Sequence, residues 1–240
     1  VSLLTAVAVS LTMFAASAIA QDAKSNPAVK PVPRKDKWWQ DRHAKMNECV
    51  KKGNVDLLLI GDSITHGWEG KGKEVWKKYY APRNAVNLGI SGDRTQHVIW
   101  RLDNGNIDGI SPKLAVLMIG TNNASSSHTP KQIAEGIDVI VKRLRTKLPK
   151  TKVLILGIFP RGENDQDARR QVNMKTNEII SKFADSKMVF YLDIGDKFLE
   201  KNRTLSRKTM PDLLHLTPGS YQIWAEAIEP MVVKFVDEGK

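Results

Sequence analysis

Five short apolar runs recur along the chain at Val55–Ile60, Ala85–Ile90, Leu114–Ile119, Val153–Phe159 and Met188–Leu192. Each is nearly continuous in Val, Ile, Leu and their like, where a half-exposed strand would alternate apolar with polar residues. Continuous runs of this length are expected of parallel strands covered on both faces. Between them lie helical patterns. Thr129-Pro130 supplies an N-cap and a first-turn proline, and Ile133, Ile137, Ile140, Val141, Leu144 and Leu148 then form one apolar stripe. Thr217-Pro218 opens the last helix in the same way, with Ile223, Trp224, Ala227, Ile228 and Phe235 facing inward. The spacing also predicts an amphipathic helix over Asp41 to Lys52, ahead of the first strand. Strands alternating with helices predict an α/β fold, a three-layer α/β/α sandwich with a five-stranded parallel sheet.

The chain of 240 residues, 41% hydrophobic, suffices for one sizeable core. Residues 1–20 carry no charge and end in Ala18-Ile19-Ala20, which reads as a signal peptide with a small-residue cleavage site rather than a retained anchor. The next stretch, 21–37, holds Pro27, Pro31 and Pro33 among lysines and reads as a solvated linker, so the folded domain is expected over 38–240. The leader implies export to a periplasm or the cell exterior, with no membrane span after cleavage. Cys49 is the single cysteine, which excludes an internal disulfide and a zinc site built on thiolates. The net charge of +11 is scattered, with no basic stripe interleaved with aromatics, so a nucleic-acid partner is not expected.

In open α/β sheets ligands bind beyond the carboxyl ends of the strands. Ser63 in Gly61-Asp62-Ser63 follows the first run, Gly92 the second and Asn122 the third, so all three are expected on one rim. A serine becomes a nucleophile when a base accepts its proton, and that base needs a carboxylate to fix its tautomer. Of the five histidines, His215 has Asp212 three residues earlier in a loop before the last helix, and it is the strongest base candidate. His66 lies too close to Ser63 in sequence to approach its hydroxyl around a substrate, and reads as a rim residue. His97 reads as a helix residue beside the site. The glycines of Asn87-Leu88-Gly89-Ile90-Ser91-Gly92-Asp93 allow backbone N–H groups to approach a ligand, and Gly120-Thr121-Asn122-Asn123 ends a strand on an amide. Each of these runs alone is equally compatible with ordinary turn chemistry. Asp62 reads as a structural acceptor of backbone N–H groups in the serine's own turn.

The order and spacing of the four blocks resemble the SGNH subgroup of GDSL-type hydrolases, over roughly Trp38 to Pro230. Within that family the wording is most similar to the catalytic subunits of intracellular platelet-activating-factor acetylhydrolases, through Gly61 to Thr65, Asn87 to Asp93, His97 to Leu102, Gly120 to Asn123 and Asp212 to Leu216. The resemblance implies a flavodoxin-like sheet, Ser63 as nucleophile, His215 as base and then acid, and Asp212 as its orienting carboxylate. It further implies an oxyanion hole made by the backbone N–H groups of Ser63 and Gly92 and the side-chain amide of Asn122, with no cofactor, and a homodimer. Ser91 stands where those subunits have glycine. Trp68, His66 and Arg94 are candidate substrate contacts at the mouth, with Trp100 and Arg161 nearby.

The expected activity is an exported serine esterase that removes short acyl groups, above all acetyl, from a carbohydrate or lipid through an acyl-serine intermediate. A phospholipid acetylhydrolase or lysophospholipase-type enzyme is the alternative within the family. A metal-dependent phosphoesterase is disfavoured, because Asp41-Arg42-His43 lies on a polar helical stretch and no later His-x-His follows. A non-catalytic glycan-binding module would not require the complete set of blocks.

Overall fold

Successive residues of the first strand point to opposite faces of the sheet, and both faces are dry. The computed structural model describes residues 26–238. Its five strands are β1 (Leu57–Gly61), β2 (Ala85–Gly89), β3 (Leu114–Met118), β4 (Lys152–Leu156) and β5 (Val189–Leu192). All neighbours are parallel, in the order β2-β1-β3-β4-β5. Leu58 and Ile60 enter one apolar layer with Leu88, Ala115 and Leu117, whereas Leu57 and Leu59 enter the other with Val116 and Met118. This two-sided burial is why the runs are continuous in sequence.

Helices α1 (Lys37–Lys51), α4 (Thr95–Asp103), α6 (Pro130–Lys147) and α7 (Ala168–Ile180) contribute to the first layer, α6 through Ile133, Ile137, Ile140 and Leu144. Two short helices, α2 (Ser63–His66) and α5 (Thr121–Ser125), follow β1 and β3 directly. Helix α3 (Lys73–Tyr79) and helix α8 (Pro218–Val232), with Trp224 and Ile228, cover the opposite face. The α6 start is closed by a capping box, in which Thr129 Oγ1 accepts from the Gln132 N–H at 3.2 Å and Gln132 Oε1 accepts from the Thr129 N–H at 2.9 Å. The architecture is the expected three-layer sandwich.

Three boundaries differ from the sequence reading by more than about two residues. Helix α1 begins at Lys37 rather than near Asp41, because fully buried Trp39 anchors its first turn against the core. The run Val153–Phe159 leaves the sheet after Leu156, although Phe159 stays buried in the second layer. The third difference is larger. Residues 26–36 are not a solvated linker: Asn26 and Ala28 are buried, and Asn26 Nδ2 donates to the Gln132 carbonyl and to Glu135. The Ala28 carbonyl accepts from Thr95 Oγ1 at 2.8 Å, so the segment is strapped across α4 and α6. Proline and lysine favour extended backbone but do not forbid specific docking. Residues 1–25, with the leader and the first part of the linker, lie outside the described residues. Among the described residues no helix is long and apolar enough to cross a membrane.

Candidate active site

The sheet order reverses between β2-β1 and β3, so the loops leaving β1 and β3 diverge and open a crevice at their carboxyl ends. Ser63 is the first residue of α2, directly after β1. Its turn is tight: a Cβ at Gly61 would strike Thr65 and stand 2.5 Å from the Met118 carbonyl oxygen. Asp62 caps α2, accepting from the Ile64 N–H at 3.0 Å through Oδ1, as the sequence reading expected. It is fully buried, and Oδ2 has no partner among the described residues. Burial pushes the Asp62 carboxyl up to about 7, with the nearby Asp93 charge adding to the rise and the Ile64 N–H, His215 and Arg161 opposing it.

His215 comes to Ser63 from the loop before α8. Its Nε2 lies 2.9 Å from Ser63 Oγ, and its Nδ1 lies 2.6 Å from Asp212 Oδ2. Asp212 Oδ1 accepts from the Leu214 and His215 backbone N–H groups at 3.1 and 2.7 Å, which fixes the carboxylate against the ring. The loop makes this return by holding Leu213 at φ 59°. Partial burial works to raise the Asp212 carboxyl, but the His215 ring and these N–H groups outweigh it and leave it below its ordinary value. An ionised carboxylate here fixes Nδ1 as the protonated nitrogen and leaves Nε2 free to accept the Ser63 proton. Both His215 and Asp212 remain open to solvent.

Gly92 adopts φ +79° in the loop after β2, a conformation that excludes most side chains. Asn122 lies in the first turn of α5, and one hydrogen of its amide is held by the Asp93 carbonyl at 3.0 Å, which aims the amide and leaves its second hydrogen uncommitted to that bond. Among the described residues the Ser63 and Gly92 backbone N–H groups have no acceptor. Three donors thus belong to the loops that follow β1, β2 and β3.

Behind them lies a buried ion pair. Asp93 accepts from Arg101 Nε at 2.9 Å and from Trp39 Nε1 at 2.7 Å, and Arg101 reaches Asn106 and the Gly61 carbonyl. This one pair ties the residue before Asp62 to the loop of Gly92. A charged pair with its remaining donors satisfied is costly to break from one side, because the other charge is then left buried. Arg34, from the strap, donates Nη1 to the Ser91 carbonyl at 2.8 Å and would stand 2.8 Å from a Cβ at Gly92. Sequence reasoning missed Arg34, which lies in a run without periodicity.

The other candidate contacts divide. His66 Nδ1 sits 2.9 Å from Ser91 Oγ, half-buried at the edge of the same loop, and burial and Arg42 hold its ring below the ordinary histidine value. Arg94 caps α4 and is half-buried, its backbone N–H donating to His97 Nδ1 at 3.0 Å. His97 is therefore a neutral acceptor, pushed down to about 3 by burial and by Arg94, Arg34 and Arg101. Its 3.7 Å approach to Asp93 is not an ion pair. Trp68 is not at the mouth. It is 1% exposed and packs in an aromatic cluster, with ring centres 4.6 Å from Tyr221, 4.9 Å from Trp224 and 5.1 Å from Tyr80. The turn after α2 points inward because α8 supplies an aromatic surface there. Trp100 packs on Trp39 and His43. Arg161 is buried, with Nη1 bonded to Thr121 and Ser125 of α5, the helix that carries Asn122.

Comparison with known proteins identifies the family of the chain. Residues 59–223 match the GDSL-like Lipase/Acylhydrolase family. The chain is 34% identical over 223 residues to the platelet-activating factor acetylhydrolase IB subunit alpha2 of Rattus norvegicus, covering 89% of this chain and 93% of the relative. It is 33% identical over 224 residues to the alpha1 subunit of Homo sapiens, covering 90% and 95%. Similar folds include a GDSL-like lipase from Bacteroides thetaiotaomicron, with TM-score 0.63 and 21% identity over 81% of this chain and 97% of that one. An acetylxylan esterase from Geobacillus stearothermophilus, as a catalytic mutant, gives TM-score 0.59 and 18% identity over 75% and 94%. The chain belongs to the GDSL-like lipase/acylhydrolase family and is a carboxylic ester hydrolase.

Proposed function

We propose that the protein is an exported serine esterase that removes acetyl groups from a carbohydrate, with Ser63, His215 and Asp212 as its catalytic triad. The observation that carries the mechanism is the continuous relay from Ser63 Oγ to His215 Nε2 at 2.9 Å and from His215 Nδ1 to Asp212 at 2.6 Å. Ser63 Oγ attacks the ester carbonyl as Nε2 takes its proton. The oxyanion of the tetrahedral intermediate is met by the Ser63 and Gly92 N–H groups and the Asn122 amide. Collapse expels the alcohol, which takes the proton back from His215 and leaves acetyl on Ser63. A water molecule activated by the same imidazole then releases acetate.

Acetyl is favoured because it is common to the names of otherwise different relatives, the platelet-activating factor acetylhydrolase subunits and an acetylxylan esterase. A soluble glycan is favoured over a lipid aggregate by the surface. Among the described residues the exposed large apolar side chains are Val32, Trp38 and Met174, too few to form an interfacial patch. The second reading, hydrolysis of an acetylated phospholipid, is favoured by the sequence relatives themselves. Export rests on the composition of residues 1–20.

The test is a panel of acetylated xylan, acetylated hexosamine, an acetyl phospholipid and longer-chain esters, assayed with wild type and Ser63→Ala. Acetylated saccharides should be preferred, and Ser63→Ala should lose p-nitrophenyl acetate hydrolysis while remaining folded. Undiminished turnover by that variant rejects the mechanism; preference for the phospholipid rejects the substrate class.

A further inference from the structure

Beside the Gly92 loop the surface carries an aromatic ring that the catalytic scheme does not use. Trp38, the second residue of α1, is 46% exposed, whereas its neighbour Trp39 is fully buried and anchors the helix. The Arg34 guanidinium lies over the Trp38 ring, with Cζ 5.1 Å from the ring centre. The same guanidinium rests against Gly92, where a Cβ would stand 2.8 Å from Nη1, 3.6 Å from Cζ and 3.8 Å from Nη2. Gly92 is itself exposed, so Trp38, Arg34 and Gly92 form one continuous stretch of surface.

Arg34 also has hydrogens to offer. Its Nε is engaged by Asp36 at 3.0 Å and its Nη1 by the Ser91 carbonyl at 2.8 Å, but Nη2 has no partner among the described residues. The side chain is 21% exposed. An accessible donor therefore sits between an open indole and the loop of the proposed oxyanion hole.

These groups select a ligand. A sugar ring has a C–H face that packs on an indole and hydroxyls that accept from a guanidinium. An anion gains little, because Asp36 already offsets the Arg34 charge. A cation would meet Arg34, which occupies the place over the ring that a cation would take. Insertion into a lipid surface calls for a contiguous apolar patch, and Trp38 follows exposed Lys35, Asp36 and Lys37, with Lys37 paired to Asp41 at 2.7 Å. Since an acetyl group is too small to reach past the oxyanion hole, a sugar ring at Trp38 belongs to the alcohol.

We propose that Trp38 and Arg34 form a saccharide subsite on the alcohol side of the ester, where one neutral sugar ring of the substrate stacks on the indole and accepts a hydrogen bond from Arg34 Nη2. This subsite presupposes the carbohydrate reading of the Ser63 centre and names what holds the sugar.

Arg34 also holds the Gly92 loop, so the test is placed on Trp38, whose exposed side chain can be changed without opening the core. The experiment compares kcat/KM of wild type, Trp38→Ala and Trp38→Phe on acetylated xylotriose, an acetyl phospholipid and p-nitrophenyl acetate. In Trp38→Ala the ratio of acetylated xylotriose to p-nitrophenyl acetate should fall about tenfold, the order of one aromatic contact, chiefly through KM, and Trp38→Phe should restore it to within about threefold of wild type. In Ser63→Ala, a nitrogen-15 NMR titration with acetylated xylotriose should shift the Trp38 indole N–H and the Arg34 Nε–H saturably. An unaltered ratio, or a titration that spares both signals, overturns the subsite. An equal loss on all three esters makes Trp38 a structural residue, and a loss confined to the phospholipid overturns the saccharide assignment. Should wild type itself prefer the phospholipid, the carbohydrate reading fails separately, and the titration still decides whether a saccharide binds at Trp38.

Discussion

At Asn122 the side chain spends one amide hydrogen on the Asp93 carbonyl and keeps a second that this bond does not use. On the proposed assignment, Asn122→Ala should lower kcat for p-nitrophenyl acetate about 100-fold with little change in KM, as removal of one such donor does elsewhere. A large KM effect with unaltered kcat would instead mark Asn122 as a ground-state contact. Asp62 makes a different prediction. Its folded-state value, about 7, lies above the unfolded value near 3.8, so the native state binds more protons across that interval. The Asp62 contribution to stability is fully present below the unfolded value and is lost as pH rises toward 7. Asp62→Asn keeps an acceptor for the Ile64 N–H but carries no titrating group. Its melting temperature relative to wild type should therefore climb as pH increases from about 4 to 7, and a flat difference would show that Asp62 does not titrate there.

Elements were legible in proportion to how much of their sequence pattern is set by burial. The five runs gave the strands because both sheet faces are dry, and the Thr-Pro starts of α6 and α8 announced their caps. Ser63, Asp212 and His215 could be singled out before any fold was known, because the chemistry needs those residue types, and the structure brings them into contact. Trp68 was misplaced because an aromatic after a nucleophile block looks the same in sequence whether α8 buries it or substrate touches it. The strap over residues 26–36 was illegible for another reason. It docks through isolated polar contacts, such as Arg34 with Ser91, that have no period. Since Arg34 holds the loop carrying Gly92, the proposed oxyanion donor, Arg34→Ala should reduce kcat roughly tenfold, because displacement of such a donor by even an ångström is costly. KM should hold, and an unchanged kcat would reduce the strap to a surface covering.

For the molecule as a whole, the parallel sheet acts as a frame that carries Ser63, Gly92 and Asn122 beyond three strand ends and receives His215 from the loop before α8. The buried Asp93–Arg101 pair and the strap brace that rim from behind, while His215 and Asp212 of the proposed triad remain open to solvent. The central claim is that this frame turns Ser63, and no other residue, into the nucleophile. The most direct measurement is labelling of the native protein with a fluorophosphonate, followed by peptide mapping. The account predicts one adduct, on Ser63, that is lost in Ser63→Ala and strongly slowed in His215→Ala. An adduct on another residue, or a protein that stays unlabelled while it hydrolyses p-nitrophenyl acetate, would contradict it.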